Sequence, residues 1–200
     1  MALPFMISGR ANRDDIAAYL DSLDHARRVL ELSRLSRGDQ RELFKLVSGA
    51  APLTLEHFVP AGISAVQEVI HYGKNTLPLA RVSRFEKRFC SPVDGGGRLF
   101  GYNEGWTRPF VGPGYFVAVP TEGRGDWQER GALVIDYLQL PAGPLPRGWP
   151  AVVPNSAGLS RVVYYGTRDF MRRVSSHVSI GAAFRGERAL GTWFTLCREP

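Results

Sequence analysis

Apolar and polar side chains alternate most regularly in the last stretch of the chain, from His177 to Arg198. Successive side chains of a β-strand point to opposite faces, so this alternation predicts two strands, His177–Phe184 and Leu190–Cys197. The polar segment Arg185–Arg188 contains the glycine that a hairpin loop favours. Both faces of each strand carry apolar residues, and small residues lie in mid-strand. This combination indicates a curved sheet that is covered on both sides.

Six other short runs with the character of strands come before this closing hairpin. They are Val66–His71, Val82–Cys90, Leu99–Asn103, Gly114–Val119, Ala132–Leu138 and Arg161–Tyr165. About eight short strands at regular spacing are typical of a sandwich or barrel. If the hairpin pairs with an earlier strand, no long sheet edge stays exposed, so we expect it at the seam of a closed barrel.

The segments between these runs read as turns and loops. Asp94–Gly97, with three successive glycines, predicts a tight turn between the second and third strands. Pro141–Gly158 carries five prolines and predicts a long loop that lies over the surface or across one mouth of the barrel. Thr167–Ser175 is interpreted as a short helix with Thr167 as its cap and Phe170, Met171 and Val174 on one side.

The N-terminal quarter of the chain has a helical rather than a strand pattern. Between residues 12 and 48 apolar residues recur at helical spacing, beginning with Asn12 as N-cap. Asp24 caps a second helix, unless one helix continues through it. Gly38-Asp39 reads as a break, after which Asp39 and Glu42 form the cap pair of a further helix. We therefore predict two or three short helices that pack on the structure that follows.

These elements predict an α+β, mainly β chain: an antiparallel barrel of about eight strands preceded by two or three short helices. We assign residues 1–52 to a helical segment packed on the barrel and residues 53–200 to the barrel. The 200 residues suffice for one domain of this kind.

The sequence contains no apolar run of 18 residues, so no membrane span is predicted. The N-terminus lacks the features of a signal peptide, which favours a cytoplasmic protein.

The charge of the chain is positive but dispersed. The net charge is +6, with 22 Arg and 3 Lys, and no run of basic residues exceeds two. Nucleic-acid binding favours a clustered basic patch, so it ranks below binding of a small ligand, and we expect no nucleic-acid partner. In a cytoplasmic chain, Cys90 and Cys197 are expected to be reduced, partly buried thiols.

Motifs for cofactors, metals and nucleophilic catalysis are absent from the sequence. It contains no G-x-S-x-G, H-E-x-x-H, C-x-x-C or P-loop pattern. The four histidines are scattered, so the sequence predicts no metal site and no cofactor.

Asp136 is the most informative polar residue because it shares a strand face with Ala132, Val134 and Leu138. A buried carboxylate needs a partner. Either it pairs structurally with an arginine, with Arg84, Arg88 and Arg172 as candidates, or it anchors a ligand in a cavity. These two interpretations stay open, with the structural one favoured.

His177 and His71 are the candidate general bases, and Asp136 is the candidate acid or orienting group. The alternative for each histidine is a structural role within the barrel, which is the commoner case. No catalytic residue is assigned.

Other polar residues embedded in strands predict ligand contacts. The predicted ligand-binding residues are Arg84, Arg88, Tyr102, Asn103, Tyr115, Asp136, Tyr137, Tyr165 and His177. Trp106 and Trp149 either line a cavity mouth or plug the core under loops.

The chain resembles lipocalin-like, calycin-type barrel proteins. The features that carry the resemblance are the strand pattern, the G-Y-N at the end of the third run, the V-I-D-Y run and the closing HVSIGAAFR…LGTWFTLCR hairpin. More specifically, they resemble bacterial proteins of unassigned function that have helices ahead of such a barrel. The resemblance covers roughly residues 66–198, and the G-x-W signature near the first strand is not present. It implies a cavity for a small, mostly apolar molecule and implies no catalytic residue.

Three functions follow as hypotheses. The first is binding of a small apolar or amphipathic molecule in the barrel. The second is an isomerase, cyclase or lyase that uses acid–base residues in the same cavity. The third is a protein-interaction module formed by the N-terminal helices.

Overall fold

Eight antiparallel strands form a closed barrel in the computed structural model, which describes residues 2–76 and 83–200. Each strand pairs with the next along the chain, and the last pairs with the first. The strands are β1 Val69–Asn75, β2 Arg84–Cys90, β3 Leu99–Glu104, β4 Phe116–Pro120, β5 Leu133–Asp136, β6 Thr167–Arg173, β7 Val178–Arg185 and β8 Arg188–Arg198. The predicted mainly β fold with a barrel of about eight strands is confirmed.

The closing hairpin is the seam of the barrel, as the sequence indicated. β8 pairs along one edge with β7 and along the other with β1, with His71 opposite Arg198 and Asn75 opposite Phe194. Gly186, in the loop between β7 and β8, has φ +57°, a conformation that favours glycine. Pairing on both edges of β8 removes the exposed edge that an open sheet would leave.

Eight helices, all of ten residues or fewer and several of a single turn, lie in the described ranges. They are α1 Leu3–Ser8, α2 Arg13–Ser22, α3 His25–Ser33, α4 Arg37–Leu46, α5 Leu55–Phe58, α6 Arg108–Val111, α7 Asp126–Arg130 and α8 Ser160–Val163. Of the first four, α4 packs on the outer faces of β7 and β8 and α3 packs on β8, whereas α1 packs on α3 and α4, and α2 packs on α1. All four bury apolar residues in one cluster with Val178 and Ile180. Within the described ranges, no helix has both the length and the apolar character needed to cross a membrane.

The start of α4 differs from the prediction. Ser36, rather than Asp39, is its N-cap: the Ser36 hydroxyl accepts from the Asp39 amide at 3.2 Å, and the Asp39 carboxylate accepts from the Ser36 amide at 2.8 Å. Gly38 therefore lies in the first turn and is not a break. Glu42 accepts instead from Lys45, at 3.2 Å. The cap pair was wrong because Ser36 offers the same capping chemistry three residues earlier.

The predictions for residues 161–175 were also wrong. The predicted strand Arg161–Tyr165 contains most of α8, and the predicted helix Thr167–Ser175 is largely β6. Met171 belongs to the cluster inside the barrel, whereas Phe170 packs outside it against Trp127 and Phe184. Because both faces of β6 are covered, its apolar residues lack the strict alternation of a half-exposed strand.

One end of the barrel is filled with side chains. Phe58 of α5 closes this end, with its ring 5.2 Å from His71 and 4.9 Å from Phe89, measured between centroids. Phe116 continues the layer at 5.2 Å from Phe89. Side chains from most strands complete this packed half, so the interior is solid here.

The long loop after β5 covers the outer surface of the barrel. Leu145 and Trp149 pack on a small cluster of Cys90, Phe100 and Val117, from β2, β3 and β4. Both cysteines are free thiols, and both are fully buried rather than partly buried as predicted. Burial raises the pKa of Cys90 to about 12 and that of Cys197 to about 11, which keeps both thiols protonated at neutral pH.

The tight interior near β7 gives a test of the packing. A Cβ at Gly181 would overlap the ring of Phe194 and lie 2.6 Å from the Met171 sulfur. We expect Gly181→Ala to lower the free energy of unfolding by about 1–3 kcal/mol, measured by urea denaturation. Gly62 is the matched control because no atom lies within 4 Å of the position that a Cβ would occupy there. Gly62→Ala should change stability by less than about 0.5 kcal/mol. Equal effects of the two substitutions would contradict the described packing.

Candidate functional site

The other half of the barrel is hollow. A cavity of about 380 Å³ opens where β1, β3 and β5 end and where β2, β6 and β8 begin. This volume lies within the range of small-molecule sites, roughly 300–1,000 Å³. The barrel is therefore packed at one end and open at the other.

Four polar side chains from four different parts of the barrel meet at the bottom of this cavity, and we call them the floor cluster. They are Lys87 of β2, Asn103 of β3, Tyr137 just after β5 and Asp169 of β6. Lys87 is only 2% exposed, and the other three are also buried. Charged side chains are almost never buried to this degree unless they are paired.

The Lys87 ammonium has three oxygen partners within the floor cluster. Nζ donates to Asn103 Oδ1 at 2.8 Å and to the Tyr137 hydroxyl, and it lies 3.3 Å from Asp169 Oδ2. The Tyr137 hydroxyl lies 3.2 Å from the same Asp169 oxygen. The ammonium, phenol and carboxylate thus form one connected network of buried polar groups.

Aromatic rings enclose the ammonium. Its Nζ lies 4.9 Å from the ring centroid of Phe194, 5.1 Å from that of Phe116 and 5.6 Å from that of Phe85. A cation within about 6 Å of an aromatic face is attracted by the ring quadrupole. Because these rings come from β2, β4 and β8, Lys87 points to the barrel axis.

Burial shifts the pKa values of the floor cluster toward neutral groups. Loss of water lowers the pKa of Lys87 and raises the pKa of Asp169, while the attraction between the two charges opposes both shifts. Burial also raises the pKa of Tyr137, and the Asp169 charge adds to that effect. The cluster therefore combines a lysine that loses its proton more easily than usual with a carboxyl that gains one more easily.

Neighbouring groups hold the floor cluster in place. Asn103 donates through Nδ2 to the Gly114 carbonyl at 2.9 Å. The ring of Tyr164 stacks on that of Tyr137, with centroids 5.2 Å apart and an interplanar angle of 19°. Asn155, from the long loop, donates to the Tyr137 carbonyl at 2.8 Å. These contacts fix the positions of the amide and the phenol before any ligand binds.

The walls above the floor cluster are largely apolar. Phe85 and Phe194 meet edge to face with centroids 5.8 Å apart. Val111, Val163 and Leu190 line the wall nearer the mouth. An apolar wall over a small polar floor suits an amphipathic molecule.

Three of the predicted ligand-binding residues line this cavity: Arg84, Asn103 and Tyr137. Arg84 lies at the mouth, whereas Asn103 and Tyr137 belong to the floor cluster. Trp106 also lines the cavity, which is one of the two roles predicted for it. Trp149 belongs to the long loop and packs on the outer surface of the barrel instead.

Neither candidate histidine lines the cavity. His71 lies in the packed half, where its Nε2 is 3.0 Å from the Phe58 carbonyl oxygen. Burial lowers the pKa of His71 to about 3, so the ring is neutral. His177 lies outside the barrel interior, with its Nδ1 3.4 Å from Arg198 Nη2. Burial and the charges of Arg28 and Arg198 lower its pKa.

Asp136 is buried but does not line the cavity. Its Oδ2 accepts from Arg168 Nε at 3.1 Å, and its Oδ1 accepts from the Leu138 amide at 2.9 Å. The arginine partner is thus Arg168, opposite it on β6, and not Arg84, Arg88 or Arg172.

The remaining predicted ligand-binding residues lie elsewhere on the molecule. Arg88 pairs with Glu86 at 2.7 Å and with Glu68 at 3.2 Å. Tyr102 and Tyr115 pack against Trp149 under the long loop, and Tyr165 is partly exposed. The cavity therefore brings together a minority of the residues chosen from the sequence.

Lys87 and Asp169 were missed, and a sequence signal existed for one of them. Phe85, Lys87 and Phe89 alternate, so the lysine shares a face with two aromatic residues. The same reasoning that selected Asp136 applies to it. Asp169 could not be found in this way because its segment was interpreted as a helix.

Two other surface depressions lack such a cluster. A groove of about 440 Å³ lies between α3 and strands β1 and β2, and a wider depression of about 820 Å³ borders Arg172. Among residues 2–76 and 83–200, no group of three or more His, Cys, Asp or Glu side chains is placed to hold a metal ion. We therefore take the barrel cavity as the candidate site.

Comparison with known proteins gives no relative: no family model matches the chain, and neither the curated proteins nor the solved structures contain a significant match.

The buried pair gives a test of the floor cluster. In Lys87→Met the Asp169 carboxylate stays buried without its counter-charge, so we expect a loss of about 3–5 kcal/mol in the free energy of unfolding at neutral pH. The double variant Lys87→Met/Asp169→Leu should be less destabilised than the single variant, because no unpaired charge remains. Urea denaturation measures both values.

The pH dependence of the single variant has a definite sign. Without Lys87 the pKa of Asp169, which is already raised, rises further. A carboxyl whose pKa is higher in the folded state than in the unfolded state stabilises the fold at acid pH, and this contribution is lost as the pH increases. The deficit of Lys87→Met relative to wild type should therefore be smaller at about pH 4.5 than at about pH 8. A deficit that does not depend on pH would contradict the assigned pairing.

Proposed function

We propose that this protein binds a small amphipathic molecule in the open half of the barrel. The observation that carries the proposal is the division of the interior: one half is filled, and the other is a cavity of about 380 Å³ with a buried polar floor. A barrel that served only as a structural support would gain stability from filling this space with side chains. The meander topology, in which each strand pairs with the next, is also that of lipocalin-like barrels, which supports the same role.

The chemistry of the walls indicates how the molecule is oriented. Its polar end lies against Lys87, Tyr137 and Asp169, and its apolar part lies between Phe85 and Phe194. The ammonium and the phenol of the floor cluster favour an oxygen acceptor at the polar end, such as a carbonyl or carboxylate, which replaces one of their contacts within the cluster.

The N-terminal helices favour a structural role over a docking role. Their apolar residues, among them Leu20, Leu32 and Leu43, are buried in a cluster with β7 and β8. These buried contacts give the helices a role within the fold, although Phe5 and Leu30 stay exposed on them.

Binding can be tested with 8-anilinonaphthalene-1-sulfonate, a fluorescent probe with an aromatic body and an anionic end. Wild-type protein should bind one probe molecule in the cavity. Ala183 lines the cavity, so Ala183→Phe fills it and should weaken binding by about tenfold or more. Fluorescence titration measures both affinities, and native mass spectrometry of the purified protein shows any co-purified molecule.

Ala189→Phe is the matched control because Ala189 is exposed on β8 and does not line the cavity. It should keep the wild-type affinity for the probe. If the two phenylalanine variants bind the probe equally well, the cavity is not the binding site and the proposal fails.

A second candidate function is chemistry on a bound carbonyl compound, and the connected Lys87–Tyr137–Asp169 network supports it. When Asp169 holds the proton, the uncharged Lys87 amine can attack a carbonyl carbon and form an imine with release of water. The candidate acid–base residues are then these three and not the histidines.

The three lysines of the chain allow a direct test with butanal and borohydride at neutral pH. If the cavity lysine is reactive, Lys87 should be alkylated faster than Lys45, which is 63% exposed on α4. Peptide mass spectrometry gives the order of labelling, and earlier labelling of Lys45 would exclude this second function.

A further inference from the structure

Large apolar side chains are exposed beside the mouth of the cavity. Trp106 is 62% exposed, Phe110 is 67% exposed and Val162 is 71% exposed. Val163 and Leu190 are also exposed and line the cavity. Single exposed apolar residues are common on protein surfaces, but a contiguous group beside a cavity mouth marks an interaction site.

These residues form one surface, which we call the mouth patch: Trp106, Phe110, Val162, Val163 and Leu190. The rings of Trp106 and Phe110 lie 6.2 Å apart. The short helices α6 and α8 are joined because the Ser160 hydroxyl donates to the Val111 carbonyl. Trp106, Val163 and Leu190 all border the same cavity.

Positive charge borders the mouth patch. Arg84 lines the cavity, and Arg161 precedes Val162 in α8. Arg185 lies opposite Arg188 at the turn between β7 and β8. Arg185 also donates to the carbonyl oxygen of Val162 at 3.0 Å, which places this turn against α8.

These four arginines have no carboxylate partner within residues 2–76 and 83–200. Nearby carboxylates pair with other arginines: Glu104 with Arg108 at 2.7 Å, Glu86 with Arg88 at 2.7 Å, and Glu187 with Arg130. The mouth therefore presents apolar and aromatic side chains surrounded by a net positive charge.

We propose that the mouth patch docks on an anionic phospholipid surface, and that the cavity exchanges its ligand with that surface. Exposed Trp and Phe side chains favour the interfacial layer of a bilayer, and the arginines are attracted to anionic headgroups. Docking in this orientation places the opening of the cavity against the lipid, so an apolar ligand need not cross water. The proposal of docking depends on the mouth patch alone, whereas the proposal of ligand exchange also rests on the function proposed above.

The test is co-sedimentation of the full-length protein with phosphatidylcholine vesicles that do or do not contain phosphatidylglycerol. We expect binding to the anionic vesicles, weaker binding at high salt, and little binding to the neutral vesicles. Failure of the wild-type protein to sediment with anionic vesicles would overturn the proposal.

Two variants separate the apolar contribution from general surface effects. The double substitution Phe110→Ser and Val162→Ser, at exposed positions that do not line the cavity, should reduce vesicle binding about tenfold or more. Phe5→Ser is the matched control, since Phe5 is 68% exposed on α1, in the helical layer away from the cavity lining. An equal loss of vesicle binding in both would overturn the assignment to the mouth patch.

Charge reversal tests the electrostatic part. Arg161→Glu and Arg188→Glu should each weaken binding to anionic vesicles about fivefold or more at low salt. Arg10→Glu, at an exposed position after α1, should have a smaller effect. Equal effects at all three positions would show that only net charge matters and would overturn docking through the mouth.

The outcome can be separated from the ligand proposal. Probe binding in vesicle-free buffer should be unchanged by the Phe110 and Val162 substitutions, so loss of vesicle binding with intact probe binding supports docking. If the wild type binds the probe but no vesicles, docking fails and ligand binding stands. If the same substitutions instead convert a dimer into a monomer, with no vesicle binding by the wild type, the mouth patch is a self-association surface and the docking proposal is wrong.

Discussion

The Lys87 ammonium lies inside the barrel because three side chains from other strands receive it. An isolated ammonium in an apolar interior loses its hydration, and the cost is compensated only by a counter-charge and well-placed acceptors. Asp169 supplies the charge, and Asn103 and Tyr137 supply oxygen atoms. These partners come from β3, β6 and the end of β5, so the pair requires the closed barrel. The closure between β1 and β8 therefore positions the floor cluster as well as removing the sheet edges.

The floor cluster also explains why the two halves of the interior differ. Below it, the rings of Phe58, Phe89 and Phe116 contact one another and fill the barrel. Above it, the side chains toward the mouth include Ala183, Thr192 and Leu190, which leave open space. The polar layer at the boundary provides hydrogen-bonding groups for a ligand and fixes the orientation of the ligand in the cavity. The mouth patch extends the apolar character of the walls to the outer surface, where a lipid surface supplies the matching environment.

The residues predicted from the sequence to form the site were mostly polar side chains embedded in strands. Asn103 and Tyr137 do line the cavity, whereas Asp136 pairs with Arg168 outside the cavity lining. Alternation distinguishes the two faces of a strand but does not show which face is inside when both are covered. In β7 the face that carries Val178 and Ile180 packs on the helices, while Gly181 lies against Met171 and Phe194 within the barrel.

The sequence alone established the hairpin at the seam and the helical N-terminal segment, because these depend on local periodicity and turn chemistry. It did not determine β6, whose apolar residues on both faces mimic a helical stripe, and Asp169 was lost with it. Which polar side chains meet depends on the tertiary structure. The partners of Lys87 are 16 to 82 residues away along the chain, and a local sequence pattern carries no information about contacts at such separations. The hollow half, the floor cluster and the mouth patch are consequences of barrel closure rather than of any one segment.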